Sequence, residues 1–283
     1  MADYNNSLLS LLPRLNKALK WGLLSTTLFS ITAMASTFNI DDVSLDYEIY
    51  GQGQPLLLLH GGGGSKESMQ LFIDQFAKHF QVIALDSREQ GRSSISSKPL
   101  SYQRMTQDTL ALLDHLHLNA VNVIGYSDGG IIGLLMAIQQ PNRVKKLSAI
   151  ATNYHWNISA ESVNSLQAWR DDMLATPISD WPTDIIELFS QFGKQPADAY
   201  HVYKDLFDLW LTQPQMLLTD FQKINAEVLY VVGDSDDITV EHTTDMFRHT
   251  PSAQLFVLPA TGHNVINEQS KLLNLVLSDF LLE

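Results

Sequence analysis

The chain has 283 residues, 45% of them apolar, enough for one large core. A formal net charge of −13 without a basic stripe argues against nucleic acid as a partner. The absence of cysteine excludes disulfides, thiolate metal sites and a cysteine nucleophile.

Residues 1–35 differ from the rest. Arg14, Lys17 and Lys20 precede the apolar run "WGLLSTTLFSITAMA", which ends in Ala33-Met34-Ala35, a small-x-small pattern. The run is short beside the ~20 apolar residues that span a bilayer. A signal peptide is expected here, with export to the periplasm or beyond and no stable membrane insertion after cleavage. An uncleaved N-terminal anchor is the alternative. The segment is set aside from the fold.

Residues 43–51, "VSLDYEIYG", alternate apolar and polar as a half-buried strand does. "PLLLLH" (55–60) is a continuous apolar run, expected as a strand buried on both faces, and it stops at "GGGG" (61–64). "QVIALD" (81–86) predicts a third strand, and "MTQDTLALLDHL" (105–116) has helical spacing. From Val121, "VNVIGYSDGGIIGLLMA" predicts strand, sharp turn and helix, and "KKLSAIAT" (145–152) a further strand. Strands alternating with helices imply an α/β fold with a mostly parallel central sheet and helices on both faces. The rhythm breaks over 153–223, which reads as helices with prolines and holds four of the five tryptophans: Trp156, Trp169, Trp181 and Trp210. "EVLYVVGD" (227–234) and "AQLFVLPATGH" (253–263) restore it. The expected organisation is a core of 36–152 and 224–283 with an inserted helical segment at 153–223.

Ser127 stands at the turn between strand and helix, inside Gly125-x-Ser127-x-Gly129. Small flanks permit a strained turn, and the following helix aims N–H groups and its positive dipole end at the hydroxyl. A turn serine is the competing reading. A reactive serine needs a base, and the base a carboxylate, in chain order Ser, Asp or Glu, His. His263 follows the last strand. The strand before it ends in "GDSDDIT", offering Asp234, Asp236 and Asp237. Asp236 is favoured and Asp237 comes next, since a carboxylate after a strand also forms turns and helix caps. Acyl transfer also needs fixed donors for the developing oxyanion. Gly62, second after His60, and the N–H of Asp128 are the candidates. A phosphate loop is the rival for the glycines, but no Gly-Lys-Ser/Thr and no G-x-G-x-x-G occurs there.

"LLLLHGGGGS", "ALDSREQGRSS", "VIGYSDGG", "VVGDSDDIT" and "TGHN", in that order, resemble the α/β-hydrolase family over the chain from about Phe38 onward. The resemblance implies the α/β-hydrolase fold, Ser127 as nucleophile, Asp236 as acid, His263 as base and Gly62 and Asp128 as oxyanion donors. It also implies that 153–223 is the family's cap. "GYSDGGI" and "DSREQGRS" look most like bacterial small-ester and lactone hydrolases. One departure stands out: Glu89 and Gln90 replace the usual glycine and histidine. Glu89 is not expected to take the positive φ open to glycine, so a differently shaped loop is expected. Arg88 and Ser93 are expected to brace that loop.

The expected function is hydrolysis of a small carboxylic ester or lactone through an acyl-enzyme, with a small-molecule substrate. The alternatives are carbon–carbon or enol-lactone cleavage, or a ligand sensor on the same scaffold. Neither cofactor nor metal is expected; no H-E-x-x-H cluster occurs. The inserted segment is acidic and aromatic, and Trp156 and Trp210 are the candidate substrate contacts. The Asp128 carboxylate either caps its helix or projects toward the pocket.

Overall fold

In the computed structural model, which describes residues 34–283, the leucine run before the glycines is a central strand shared by two cores. Leu57 and Leu59 join one core, Leu56 and Leu58 the other, and all four are fully buried. Side chains alternate faces along a strand, so a sheet covered on both sides makes its strands uniformly apolar.

Eight strands form one sheet: β1 (Met34–Ile40), β2 (Val43–Tyr50), β3 (Gln54–Leu59), β4 (Phe80–Leu85), β5 (Val121–Tyr126), β6 (Val144–Ile150), β7 (Glu227–Gly233) and β8 (Ala253–Leu258). Their order is β1-β2-β4-β3-β5-β6-β7-β8. β2 pairs antiparallel with β1 and β4, and every other pair is parallel. Helices α1 (Gln70–Phe76), α2 (Tyr102–His115), α3 (Asp128–Gln139), α4 (Ala160–Ala175), α5 (Thr183–Gln191), α6 (Pro196–Trp210), α7 (Val240–His249), α8 (Val265–Glu268) and α9 (Ser270–Leu282) complete the chain. Phe72 and Phe76 of α1 and Leu273 and Leu277 of α9 pack with Leu56 and Leu58. Leu112 of α2, Leu134 of α3 and Met246 of α7 pack with Leu57 and Leu59.

Two boundaries differ from expectation. β1 was not foreseen, and it begins at Met34, two residues before the expected core boundary, pairing with Ile49 and Glu48 through Met34 and Ala35. As an edge strand it is half exposed, so it lacks the apolar run that marks its neighbours. The rest of the expected leader, residues 1–33, lies outside the described residues. α2 starts three residues before the expected Met105, because Ser101 caps it: its Oγ accepts from the Arg104 N–H at 3.2 Å.

Between β6 and β7 lie α4, α5 and α6 with short 3-10 turns, and among the described residues this segment holds no strand beyond a single bridge, His155 to Gln215. Trp181 serves the segment's own packing. It is buried, and its indole N–H reaches the carbonyls of Met173 (3.0 Å) and Thr176 (3.1 Å).

Candidate active site

The turn from β5 into α3 places Ser127 at φ +51°, a left-handed conformation that a side chain resists by roughly 1–2 kcal/mol. Surrounding bonds hold it there. The Ser127 N–H donates to the Ile150 carbonyl (2.8 Å), and the Thr152 hydroxyl donates to the Ser127 carbonyl (2.7 Å). A Cβ on Gly125 would lie 2.6 Å from the carbonyl carbon of Gly129, so the turn closes only without side chains on its flanks.

His263 comes from the loop after β8, and Asp236 from the loop after β7. The His263 Nε2 lies 3.1 Å from Ser127 Oγ, and its Nδ1 lies 2.8 Å from Asp236 Oδ1. A carboxylate accepts only, so Nδ1 carries the proton and Nε2 faces the hydroxyl as an acceptor. The Asp236 side chain is fully buried, and its Oδ1 also accepts from the Ile238 N–H at 2.9 Å. The Tyr126 hydroxyl donates to the His263 carbonyl (3.0 Å), tying the histidine loop to the serine turn. Burial pushes the imidazole pKa down, but the bond to Asp236 and the charges of Asp236, Asp237 and Asp128 outweigh it. The net shift is upward from 6.5. Of the three carboxylates after β7, only Asp236 reaches the histidine. Asp234 is exposed and accepts from the Thr261 N–H (3.2 Å), and Asp237 is exposed at the cavity wall.

The glycine stretch runs against Ser127: a Cβ on Gly61 would sit 3.2 Å from the serine Cβ. Gly63 N–H donates to Gln90 Oε1 (2.7 Å) and Gly64 N–H to the Gly61 carbonyl (3.1 Å). No such bond uses the Gly62 N–H among the described residues. Asp128 is the first residue of α3, where helical N–H groups lack intrahelical acceptors. Its carboxylate does not cap the helix. It projects into the space between Tyr102, whose hydroxyl donates to Oδ1 (2.7 Å), and Trp210, whose indole N–H reaches both oxygens at 3.0 and 3.1 Å. Burial raises its pKa, and those two donors oppose the rise. Trp210→Phe is expected to lower the unfolding free energy by about 1–2 kcal/mol, because a buried carboxylate loses one of its two donors. Urea titration against wild type checks this.

A cavity of about 550 Å³ lies over Ser127 and His263, walled by Trp156, Ile158, Leu166, Trp169 and Trp210 of the inserted segment. Both tryptophans singled out in the sequence, Trp156 and Trp210, are on this wall. Trp169 was not singled out and is there too, stacked on Trp210 with ring centroids 5.9 Å apart.

The loop after β4 corrects one expectation. Glu89 does take a positive φ, +69°, and the turn closes through Gln90 N–H to the Ser87 carbonyl (2.9 Å). The Glu89 side chain is buried, and desolvation together with the Asp205 charge pushes its pKa up to about 7. Arg88 does brace the loop, with a bidentate pair to Asp108 (2.8 Å each) and a bond to Asp42 (2.8 Å). Ser93 accepts from the Asp46 N–H (2.9 Å) and donates to the Asp86 carbonyl (2.7 Å). His60 is structural: its Nε2 accepts from the Ser87 N–H (3.0 Å), so its Nδ1–H donates to the Gly61 carbonyl (2.7 Å). Burial lowers its pKa and keeps it neutral.

The family model described as alpha/beta hydrolase fold matches residues 54–201, slightly more than half of the chain. The chain is 28% identical over 247 residues to the dihydrolipoyllysine-residue acetyltransferase component of the acetoin cleaving system of Pseudomonas putida, covering 83% of this chain and 65% of that one. It therefore spans just under two thirds of that relative's length. It is 27% identical to 3-oxoadipate enol-lactonase 2 of Acinetobacter baylyi, covering 80% of this chain and 88% of the relative. Among solved structures, an alpha/beta hydrolase enzyme from a Medee basin deep-sea metagenome library superposes with a TM-score of 0.75. The identity is 20%, over 88% of this chain and 98% of that one, a likeness of fold. With the matching family model, the sheet order and the strand–turn–helix around Ser127 in agreement, the chain belongs to the α/β-hydrolase fold family.

Proposed function

We propose that the protein is a serine hydrolase that cleaves a small carboxylic ester or lactone through an acyl-enzyme. The carrying observation is the single imidazole that spans both partners, 3.1 Å from Ser127 Oγ and 2.8 Å from Asp236 Oδ1, at the floor of an aromatic cavity. In this reading Ser127 Oγ attacks the substrate carbonyl while His263 Nε2 takes the hydroxyl proton. The oxyanion forms against the N–H groups of Gly62 and Asp128. His263 returns the proton to the leaving alkoxide, which departs as an alcohol; in a lactone it stays on the same acyl chain. Water then attacks the acyl-enzyme, His263 takes its proton, and the acid leaves with Ser127 restored. Asp236 keeps the imidazole in the working tautomer throughout.

The inserted segment acts as the cap. Its tryptophans supply apolar surface for the substrate, and the cavity has the size of a small-molecule site. The enol-lactonase relative supports the enol-lactone alternative, which the same Ser127–His263–Asp236 arrangement can also serve.

The test is covalent labelling with a fluorophosphonate, mapped by mass spectrometry, alongside turnover of p-nitrophenyl esters and γ-lactones of graded chain length. Labelling on Ser127 with turnover of at least one series is the expected result. Folded protein that takes no label and turns over neither series would refute the proposal.

A further inference from the structure

Glu89 joins two unfavourable features at one position. Its backbone is left-handed, and its carboxylate is 0% exposed with neither oxygen hydrogen-bonded among the described residues. A buried carboxylate without partners is strongly disfavoured. Its cationic neighbours are committed elsewhere. Arg88 is held by Asp108 and Asp42, and Lys194 Nζ donates to the main-chain carbonyls of Glu89 and Gly91, each at 2.7 Å.

The carboxylate faces α6 of the inserted segment. His201 and Asp205 stand there at i and i+4, on one helix face. His201 Nε2 lies 4.0 Å from Glu89 Oε1 and 4.0 Å from Asp205 Oδ2, too far for hydrogen bonds, and that nitrogen is itself buried without a partner. One donor atom from each residue falls within 4.8 Å of the others. Ligands bound tetrahedrally to one ion at about 2.0–2.2 Å lie roughly 3.4 Å apart, so the two 4.0 Å pairs need to close by about 0.6 Å and the third by no more than about 1.4 Å to share one centre.

The geometry points to a divalent-cation site formed by Glu89, His201 and Asp205, with zinc as the best-matched ion. One imidazole and two carboxylates suit zinc, whereas magnesium and calcium favour oxygen alone. The two carboxylate charges balance the ion. His201 and Asp205 border a second cavity, of about 420 Å³, which gives the ion an entry route and leaves room for water in the remaining positions. Lys204 Nζ lies 3.6 Å from Asp205 Oδ1, which leaves Oδ2 for the metal.

The site is remote from the reacting serine in chemistry but joined to it through structure. The loop bearing Glu89 holds Gly63 through Gln90, and the helix bearing His201 ends at Trp210 on the Asp128 carboxylate. A bound ion clamps α6 of the inserted segment to the loop after β4.

The test uses the untagged full chain, stripped with EDTA and dialysed, titrated with zinc chloride or magnesium chloride alone. The expected result is one zinc per chain with a micromolar or tighter Kd. At 100 Kd, zinc should raise Tm by about 5 °C or more, and magnesium at the same concentration should not. Glu89→Gln is expected to raise the metal-free Tm, because it removes the buried charge, while weakening zinc binding about 100-fold; His201→Gln weakens it by a similar factor. The higher metal-free Tm also shows that the variant is folded. No saturable zinc binding by wild type, or either variant binding zinc as tightly as wild type, overturns the site.

Discussion

Ser127→Ala is expected to lower kcat/KM on the best ester of the panel by about 10⁶-fold and to abolish fluorophosphonate labelling. The residue sits at φ +51° with its hydroxyl 3.1 Å from an imidazole, an arrangement held by bonds to Ile150 and Thr152 that alanine leaves intact. Stability should therefore change little while the nucleophile is lost. Asp236→Asn should cost about 10⁴-fold, since a neutral amide does not stabilise the imidazolium and its NH2 can donate to Nδ1, which favours the wrong tautomer. Asp237→Asn, on an exposed carboxylate that does not reach the ring, should cost less than about 10-fold. The pH dependence follows from the same contacts. A base must be neutral, and the Asp236 bond with the charges of Asp236, Asp237 and Asp128 outweighs burial in raising the His263 pKa, so the acid limb of kcat/KM is expected above 6.5. Activity rises through that pKa and is lost below it. In Asp236→Asn the limb should move to lower pH. A limb that stays in place would remove Asp236 from its assigned role.

Ser127, Asp236 and His263 were legible as candidates because each follows a strand that announces itself as an apolar run, and the ends of parallel strands bring such loops together. The same property made the sheet and its helices legible. β1 was not, because an edge strand with one open face lacks that run. Tyr102 and Trp169 escaped for a different reason. Tyr102 opens a helix whose periodicity begins later, and its hydroxyl meets Asp128 only after α2 and α3 pack. Trp169 is one of four tryptophans in the inserted segment, and nothing local separates it from Trp181, which packs inward on Met173 and Thr176. The Glu89, His201 and Asp205 cluster joins a loop to a helix more than 100 residues later in the chain, and spacing does not reveal such a pair. The sequence did mark Glu89 as the odd residue in its loop. Glu89 takes a positive φ all the same, because the Ser87–Gln90 and Ser94–Glu89 backbone bonds impose it, and neither bond is visible in the order of residues.

Gly129→Ala is expected to destabilise the protein by about 3 kcal/mol or more, although the same change at an open helical site would stabilise by up to about 1 kcal/mol. Gly129 lies in the first turn of α3, where the helix crosses the end of β3. A Cβ there would lie 2.5 Å from the Leu59 carbonyl carbon, closer still to its oxygen, and 2.8 Å from the His60 carbonyl oxygen. Neither backbone can give way. Leu59 is paired with Leu85 on one side and Gly125 on the other, in the middle of the sheet. The helix must therefore move outward, loosening Ile131, Leu134 and Met136 and displacing the Ser127 turn from His263. Gly133, one turn later on the same helix, provides the internal comparison. Its Cβ would meet Leu147 Cδ1 at 2.8 Å, the end of a flexible side chain that can turn aside. Gly133→Ala should then fall within about 1 kcal/mol of wild type, the gain in helix propensity offsetting the adjustment. Urea midpoints of the two variants measured side by side decide the matter. Equal midpoints would mean that the approach of α3 to β3 is not what requires glycine in this turn.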